Sequence, residues 1–149
     1  MDARVPDTGT PDTGGYLLDE QIGYLLRLAS QRHAAIFQAN AIAGLTPTQF
    51  SALVRLGALG ECSQNELGRH TAMDVATIKG VVDRLKAKGF VAVRPDPGDK
   101  RRTLISIAPA HRGLVRDLHE AGREITRQTL KPLSAAEQRT LVRLMKKLI

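Results

Sequence analysis

The sequence predicts a mainly α-helical fold that carries one small β-hairpin. The 149 residues are 42% hydrophobic but only 3% aromatic, with no Trp. The core must then come from Leu, Ile, Val and Ala, which suits helices packed on helices. Apolar residues recur at helical spacing between recognisable start and stop signals along most of the chain. Residues 90–107 break that pattern: two short β-prone runs flank a tip rich in Pro, Gly and Arg.

Residues 1–15 open the chain with Pro6-Asp7-Thr8-Gly9, nearly repeated as Pro11-Asp12-Thr13-Gly14, a composition that reads as a flexible tail. Residues 16–149 are expected to form a single domain, within the size that one core supports. A first helix is expected from Asp19, as its cap, to about Ala43. Ile22, Leu25, Leu26, Ala29 and Ile36 keep helical spacing, and Gly44 ends it. Such a length implies packing against more than its own lobe. Thr46 then starts a second helix with Pro47 in the first turn, where a missing N–H costs nothing. Phe50, Leu53, Val54, Leu56 and Leu59 form its buried stripe, and Gly57 and Gly60 bracket its end.

Ser63 followed by Glu66 is a capping box for a short third helix ending near His70. Asp74 caps a fourth helix that reaches Lys88, with Gly89 as its stop. Ile78, Val81, Val82 and Leu85 share its inner face; Ala76, Lys79, Gly80, Asp83 and Ala87 share the other. Strands are expected over residues 90–94 and 103–107. After Pro109 a long helical pattern runs to about Leu130, with Leu114, Val115, Leu118 and Ile125 apolar. Pro132 breaks it, and Ser134 with Glu137 caps a last helix carrying Leu141, Leu144, Met145 and Leu148. Lys146 and Lys147 lie where that helix's dipole favours cations.

The net charge is +7, and the acidic first fifteen residues leave an even more basic remainder. That balance suits a polyanionic partner. Too few aromatics are present for a single-strand stacking platform. Cys62 is the lone cysteine, which excludes a disulfide framework or a Cys-based zinc site and fits a reducing cytoplasm. No stretch is long and apolar enough to span a membrane, and no secretory leader is recognisable. His33, His70, His111 and His119 lack metal-ligand spacing, and no phosphate loop or nucleophile elbow occurs. No catalytic residue, metal or cofactor is therefore expected.

The third and fourth helices are joined by only Thr71-Ala72-Met73, short enough for a helix-turn-helix. Ala76 and Gly80 would let the fourth helix approach the floor of a major groove, with Thr77 and Lys79 beside them to meet base edges or phosphates. In the tip that follows, Pro95, Pro97 and Gly98 force a turn that presents Lys100, Arg101 and Arg102. An arginine held there can enter a narrow, electronegative minor groove, and Asp99 is placed to fix the Arg101 guanidinium. A recognition helix followed directly by a basic hairpin reads as a winged helix-turn-helix with double-stranded DNA as its partner. The expected DNA contacts are Ser63, Gln64, Asp74, Val75, Ala76, Thr77, Lys79, Gly80, Arg84, Asp99, Lys100, Arg101 and Arg102.

These residues resemble a known family. Asp74-Val75-Ala76-Thr77-Ile78, Val82-Asp83-Arg84-Leu85, Lys88-Gly89-Phe90-Val91 and Asp99-Lys100-Arg101 with Ile105 and Ile107 look like the MarR family of bacterial transcriptional regulators. The likeness covers the winged-helix lobe (46–108) closely and the whole chain in outline. It implies minor-groove contact by Arg101 with Asp99 as its positioner. It departs at Gly80, where many relatives carry a longer polar residue, and at Ala108-Pro109.

Helices within 19–45 and 109–149 carry more apolar surface than the small lobe covers. By that argument and by resemblance they form a homodimer, whose two-fold symmetry calls for an inverted-repeat operator. The resemblance further implies a small anionic aromatic effector, or its coenzyme A thioester, with Tyr24, Arg27, Arg32, His33, Phe37 and Phe50 as candidate ligand residues. The expected function is a ligand-responsive dimeric regulator, most simply a repressor. The alternatives are a sequence-indifferent architectural DNA protein, a redox-sensing regulator that uses Cys62, and a helical interaction protein with an incidental basic face.

Overall fold

The computed structural model describes residues 14–149. A 3-10 turn, Leu18–Glu20, leads into α1 (Ile22–Asn40). Then come α2 (Pro47–Leu59), β1 (Cys62–Ser63), α3 (Gln64–His70), α4 (Val75–Ala87), β2 (Val91–Pro95) and β3 (Thr103–Ile107). A second 3-10 turn, Pro109–His111, precedes α5 (Leu114–Leu130) and α6 (Ala135–Met145). The architecture is a helical protein with a small three-stranded antiparallel sheet in the order β1-β3-β2. The expected tail lies outside the described residues except for Gly14 and Gly15, which form a turn.

Local chemistry explains most element starts. Thr46, Ser63 and Ser134 each accept from the backbone N–H three residues on, and Gln49, Glu66 and Glu137 return a bond to the cap. Asp74 accepts from Thr77 N at 2.7 Å. Those backbone bonds hold its carboxyl below the usual range. Gly89, at φ +78°, ends the α4 segment in a conformation that Cβ-bearing residues avoid.

Three expectations need correction. Asp19 lies in the 3-10 turn and caps nothing; α1 starts after Gln21 and stops at Asn40, because Ala41 is extended. The helix expected from Pro109 becomes a 3-10 turn followed, after Gly113, by α5. Leu59 is exposed, so it drops out of the buried stripe of α2.

The core lies in the winged lobe. Leu53 and Leu56 of α2, Leu67 of α3, Ile78 and Leu85 of α4 and Ile105 of β3 meet Leu118 of α5, all nearly inaccessible. β3 pairs with β2 from Val91↔Ile107 to Pro95↔Thr103, and on its other edge with Cys62 and Ser63. Buried Gln49 is satisfied: its Oε1 accepts from Lys88 Nζ at 3.0 Å and from Thr46 N at 3.2 Å. Gly57 lets α2 and α5 close up, since a Cβ there would sit 2.9 Å from Val115 Cγ1.

Outside the lobe, α1 packs along α5. Arg32 forks its guanidinium onto the C-terminal carbonyls of α5, donating to Thr129 O at 2.6 Å and Gln128 O at 2.9 Å. His33 Nδ1 is 2.9 Å from Thr129 Oγ1. The α6 helix buries none of its residues.

Candidate DNA interface and effector cleft

The outer face of α4 is open. Ala76, Thr77, Lys79 and Arg84 are exposed, and Val75 at its start is 70% accessible. Lys79 donates to Asp83 at 2.8 Å across one helical turn, a surface pair that phosphate can replace cheaply. A Cβ on Gly80 would meet Arg84 Nη1 at 3.3 Å. The missing side chain at position 80 is thus covered by the Arg84 guanidinium lying back along the helix, and a polar group still occupies that stretch of the outer face. α4 is held at a fixed angle by its four buried residues and by Gly68 of α3, where a Cβ would sit 3.1 Å from Met73 O and 3.2 Å from Ile78 Cγ2.

The wing is braced at its base and free at its tip. Arg94 of β2 pairs in bidentate fashion with Glu61 (Nε–Oε2 2.8 Å), which holds the Glu61 carboxyl below the usual range. At the tip, Asp96 N donates to Arg102 O at 3.0 Å, Gly98 N to Asp96 Oδ1 at 2.8 Å and Arg102 N to Asp99 O at 2.9 Å. Asp99 does position Arg101, but not as expected. Its Oδ1 accepts from the Arg101 backbone N–H at 2.9 Å and does not engage the guanidinium. The turn is fixed while the side chain stays available: Arg101 is exposed, and its guanidinium has no partner among the described residues. Arg102 is drawn the other way, toward Glu66 (3.6 Å) and Asp96 (3.9 Å). Ser63 is buried, and its hydroxyl caps α3 by accepting from Glu66 N at 3.2 Å. Gln64, half-buried beside it, borders a crevice shared by Arg69, Arg101 and Arg102.

A second concavity lies on the other side, between α2, the end of α3 and α5. It is a cleft of about 490 Å³ with Phe50 and Val54 as its apolar wall. Arg55, Arg69, His70 and His119 supply its basic groups. It adjoins a hollow along α5 that also uses Phe50, Val54 and His119. Gly122 makes room for Phe50, since a Cβ there would be 3.2 Å from the ring.

Of the six residues expected to hold a ligand, Phe50 lines this cleft. Phe37 is buried behind it, edge to face with Phe50 at 5.7 Å. Arg32 and His33 are occupied with α5, and the Arg27 guanidinium lies 5.4 Å from the centre of the Tyr24 ring, away from the cleft's lining. The basic groups Arg55, Arg69, His70 and His119 escaped sequence reasoning because they come from α2, α3 and α5, which only the tertiary fold brings together. Cys62 is buried in β1, and burial pushes its thiol up, away from the thiolate that a redox sensor needs.

The MarR family profile matches residues 43–102. The HTH-type transcriptional repressor NicR of Pseudomonas putida is 39% identical, covering 97% of this chain and 92% of NicR. A probable transcriptional regulator from Pseudomonas aeruginosa, solved by crystallography, is 55% identical with a TM-score of 0.86, covering 89% of this chain and 100% of that one. BpsR of Bordetella bronchiseptica, a protein whose DNA binding is regulated by 6-hydroxynicotinic acid, is 41% identical with a TM-score of 0.83, covering 89% and 96%. These relatives are regulators, not enzymes. Identity at this level runs through the flanking helices as well as the winged lobe, and on that ground the chain belongs to the MarR family of DNA-binding transcriptional regulators.

Proposed function

We propose that this chain is a homodimeric repressor that leaves an inverted-repeat operator when a small aromatic acid of the hydroxynicotinate type binds. The observation that carries the effector class is the cleft itself, an aromatic wall at Phe50 facing Arg55, Arg69, His70 and His119. A flat ring can stack on Phe50 while its carboxylate meets a guanidinium fork. A coenzyme A thioester has no free carboxylate on that ring, so the free acid is the better fit. BpsR, whose DNA binding is regulated by 6-hydroxynicotinic acid, favours the same class.

The cleft lies between α5 and the lobe that carries α4, so an occupant bears on the angle between them. A ligand that prefers one angle shifts the population toward it, and two reading heads set at the wrong spacing no longer match one duplex. The dimer is argued from exposed apolar residues at both ends of the described chain. Leu17, Leu18, Ile22 and Leu25 crowd the first, and Leu141, Val142, Leu144 and Leu148 the second. Patches of that kind mark interfaces. The dimerisation segments are 19–45 and 109–149, the chain works in the cytoplasm beside its DNA, and Cys62 plays no sensing part.

The test is a footprint on the DNA flanking the gene, followed by an anisotropy titration of the protected site with and without 6-hydroxynicotinate. The proposal expects one protected palindrome and a rise in operator Kd of fivefold or more on adding the acid. Protection spread evenly along the DNA would favour an architectural protein, and an unchanged Kd would remove this effector class.

A further inference from the structure

We infer that Arg69 is a shared cation, used by the operator in one state and by the effector in the other. This rests on the cleft reading above. Arg69 borders both concavities: the crevice with Gln64, Glu66, Arg101 and Arg102 on the wing side, and the cleft with Phe50, Arg55 and His119 on the α5 side. Among the described residues no other lines both.

Its backbone is fixed while its side chain is not. Gly68 before it is buried against Met73 and Ile78, and Thr71 after it closes α3 by donating from Oγ1 to Leu67 O at 2.6 Å. The Arg69 side chain is exposed and forms no ion pair within 4.0 Å among the described residues. It is close enough to Glu66 to help hold that carboxyl below its usual range, although the Ser63 backbone N–H is the larger cause. A guanidinium on a flexible stem, anchored between two sites, can fork onto a phosphate on one side or a carboxylate on the other. It cannot do both. An effector that draws Arg69 into the cleft removes a cation from the DNA side next to Arg101, and a phosphate that holds it there empties the cleft of one anion partner. Linkage makes the two effects reciprocal. The effector would then act through a swapped charge as well as through the angle between α5 and the lobe.

The test compares wild type, Arg69→Ala, Arg69→Lys, Arg101→Ala and Phe50→Ala as full chains. Operator Kd is measured by anisotropy at several salt concentrations, without acid and at saturating 6-hydroxynicotinate; acid affinity is measured by calorimetry. Arg69→Ala should raise operator Kd several-fold, flatten the salt slope by about one per protomer, weaken acid binding, and shrink the acid-induced rise in Kd by at least half. Arg69→Lys should recover most operator affinity through its charge but little acid affinity, because the fork is lost. Arg101→Ala should weaken operator binding with the acid-induced ratio kept. If Phe50→Ala leaves acid binding intact, or the wild type binds no acid, the cleft reading fails and takes this inference with it. If Phe50→Ala abolishes acid binding while Arg69→Ala keeps the wild-type salt slope and ratio, this inference alone is overturned.

Discussion

Arg32 offers a sharp test, because its residue type suits a ligand contact while its geometry assigns it a structural task. Its two bonds to Thr129 O and Gln128 O close the last turn of α5, whose carbonyls otherwise lack helical partners. Bonds from a charged donor are worth about 1.5–3 kcal/mol each when enclosed. Arg32 is exposed, so solvent screening reduces the pair to about 1–2 kcal/mol in total. The cation also sits at the negative end of the α5 dipole, which adds a few tenths of a kcal/mol. For a domain of this size about 1 kcal/mol corresponds to roughly 4 °C. Arg32→Ala should therefore lower Tm by about 4–8 °C, measured by circular dichroism at one fixed protomer concentration so that dimer mass action does not intrude. Arg32→Lys should recover about half of that, since an ammonium cannot bridge both carbonyls in the same way. Affinity for 6-hydroxynicotinate at a temperature where both proteins are folded should be unchanged. An unchanged Tm with a large loss of acid affinity would refute the reasoning and return Arg32 to the ligand site.

Other outcomes follow from single contacts. Glu124 has its carboxyl held down to about 2 by Arg127 and then Gln128. A folded-state pKa below the unfolded one stabilises the protein above about pH 4.5, and that contribution is lost as pH falls toward 2. Melting curves should show Glu124→Gln flattening the fall in Tm over that window; an identical pH profile would remove the contact from the account. Gly57→Val should destabilise by about 1–3 kcal/mol through overpacking against Val115, read by urea denaturation, and a neutral result would mean that α2 and α5 separate easily. Cys62 should react slowly with a thiol reagent in the folded protein, and hydrogen peroxide should leave operator affinity unchanged; rapid labelling together with loss of DNA binding would restore the redox alternative.

The parts of this fold readable in the sequence are those settled by neighbours a few residues apart. Ser63 with Glu66, Ser134 with Glu137, and Asp74 each place a helix start where the structure has it. The outer face of α4 follows from helical periodicity, and β3 from β-prone residues flanking a Pro- and Gly-rich turn. The strand β1 is not legible locally, because Cys62 and Ser63 become a strand only by pairing with Ile105 and Leu104 some forty residues away. The end of α1 is hidden in the sequence for a different reason: the break at Ala41 uses residues with good helix propensity, and Ala43 at φ +56° adopts a conformation no propensity would assign to it. At the site, Arg101 was legible because a turn in the sequence presents it. Glu61 with Arg94, and the meeting of Arg55, Arg69 and His119 around Phe50, depend on how α2, α3 and α5 cross.

On the reading proposed above, α4 and the Arg101 wing engage adjacent grooves of one duplex together. Dimethyl sulfate footprinting of the operator reads both at once, because it methylates guanine N7 in the major groove and adenine N3 in the minor groove. Protection is expected at both kinds of position within each half-site, with Arg101→Ala restoring adenine N3 reactivity while guanine N7 stays covered at saturating protein. Adenines that react freely under the wild-type protein, or an Arg101→Ala footprint identical to it, would rule out Arg101 in the minor groove.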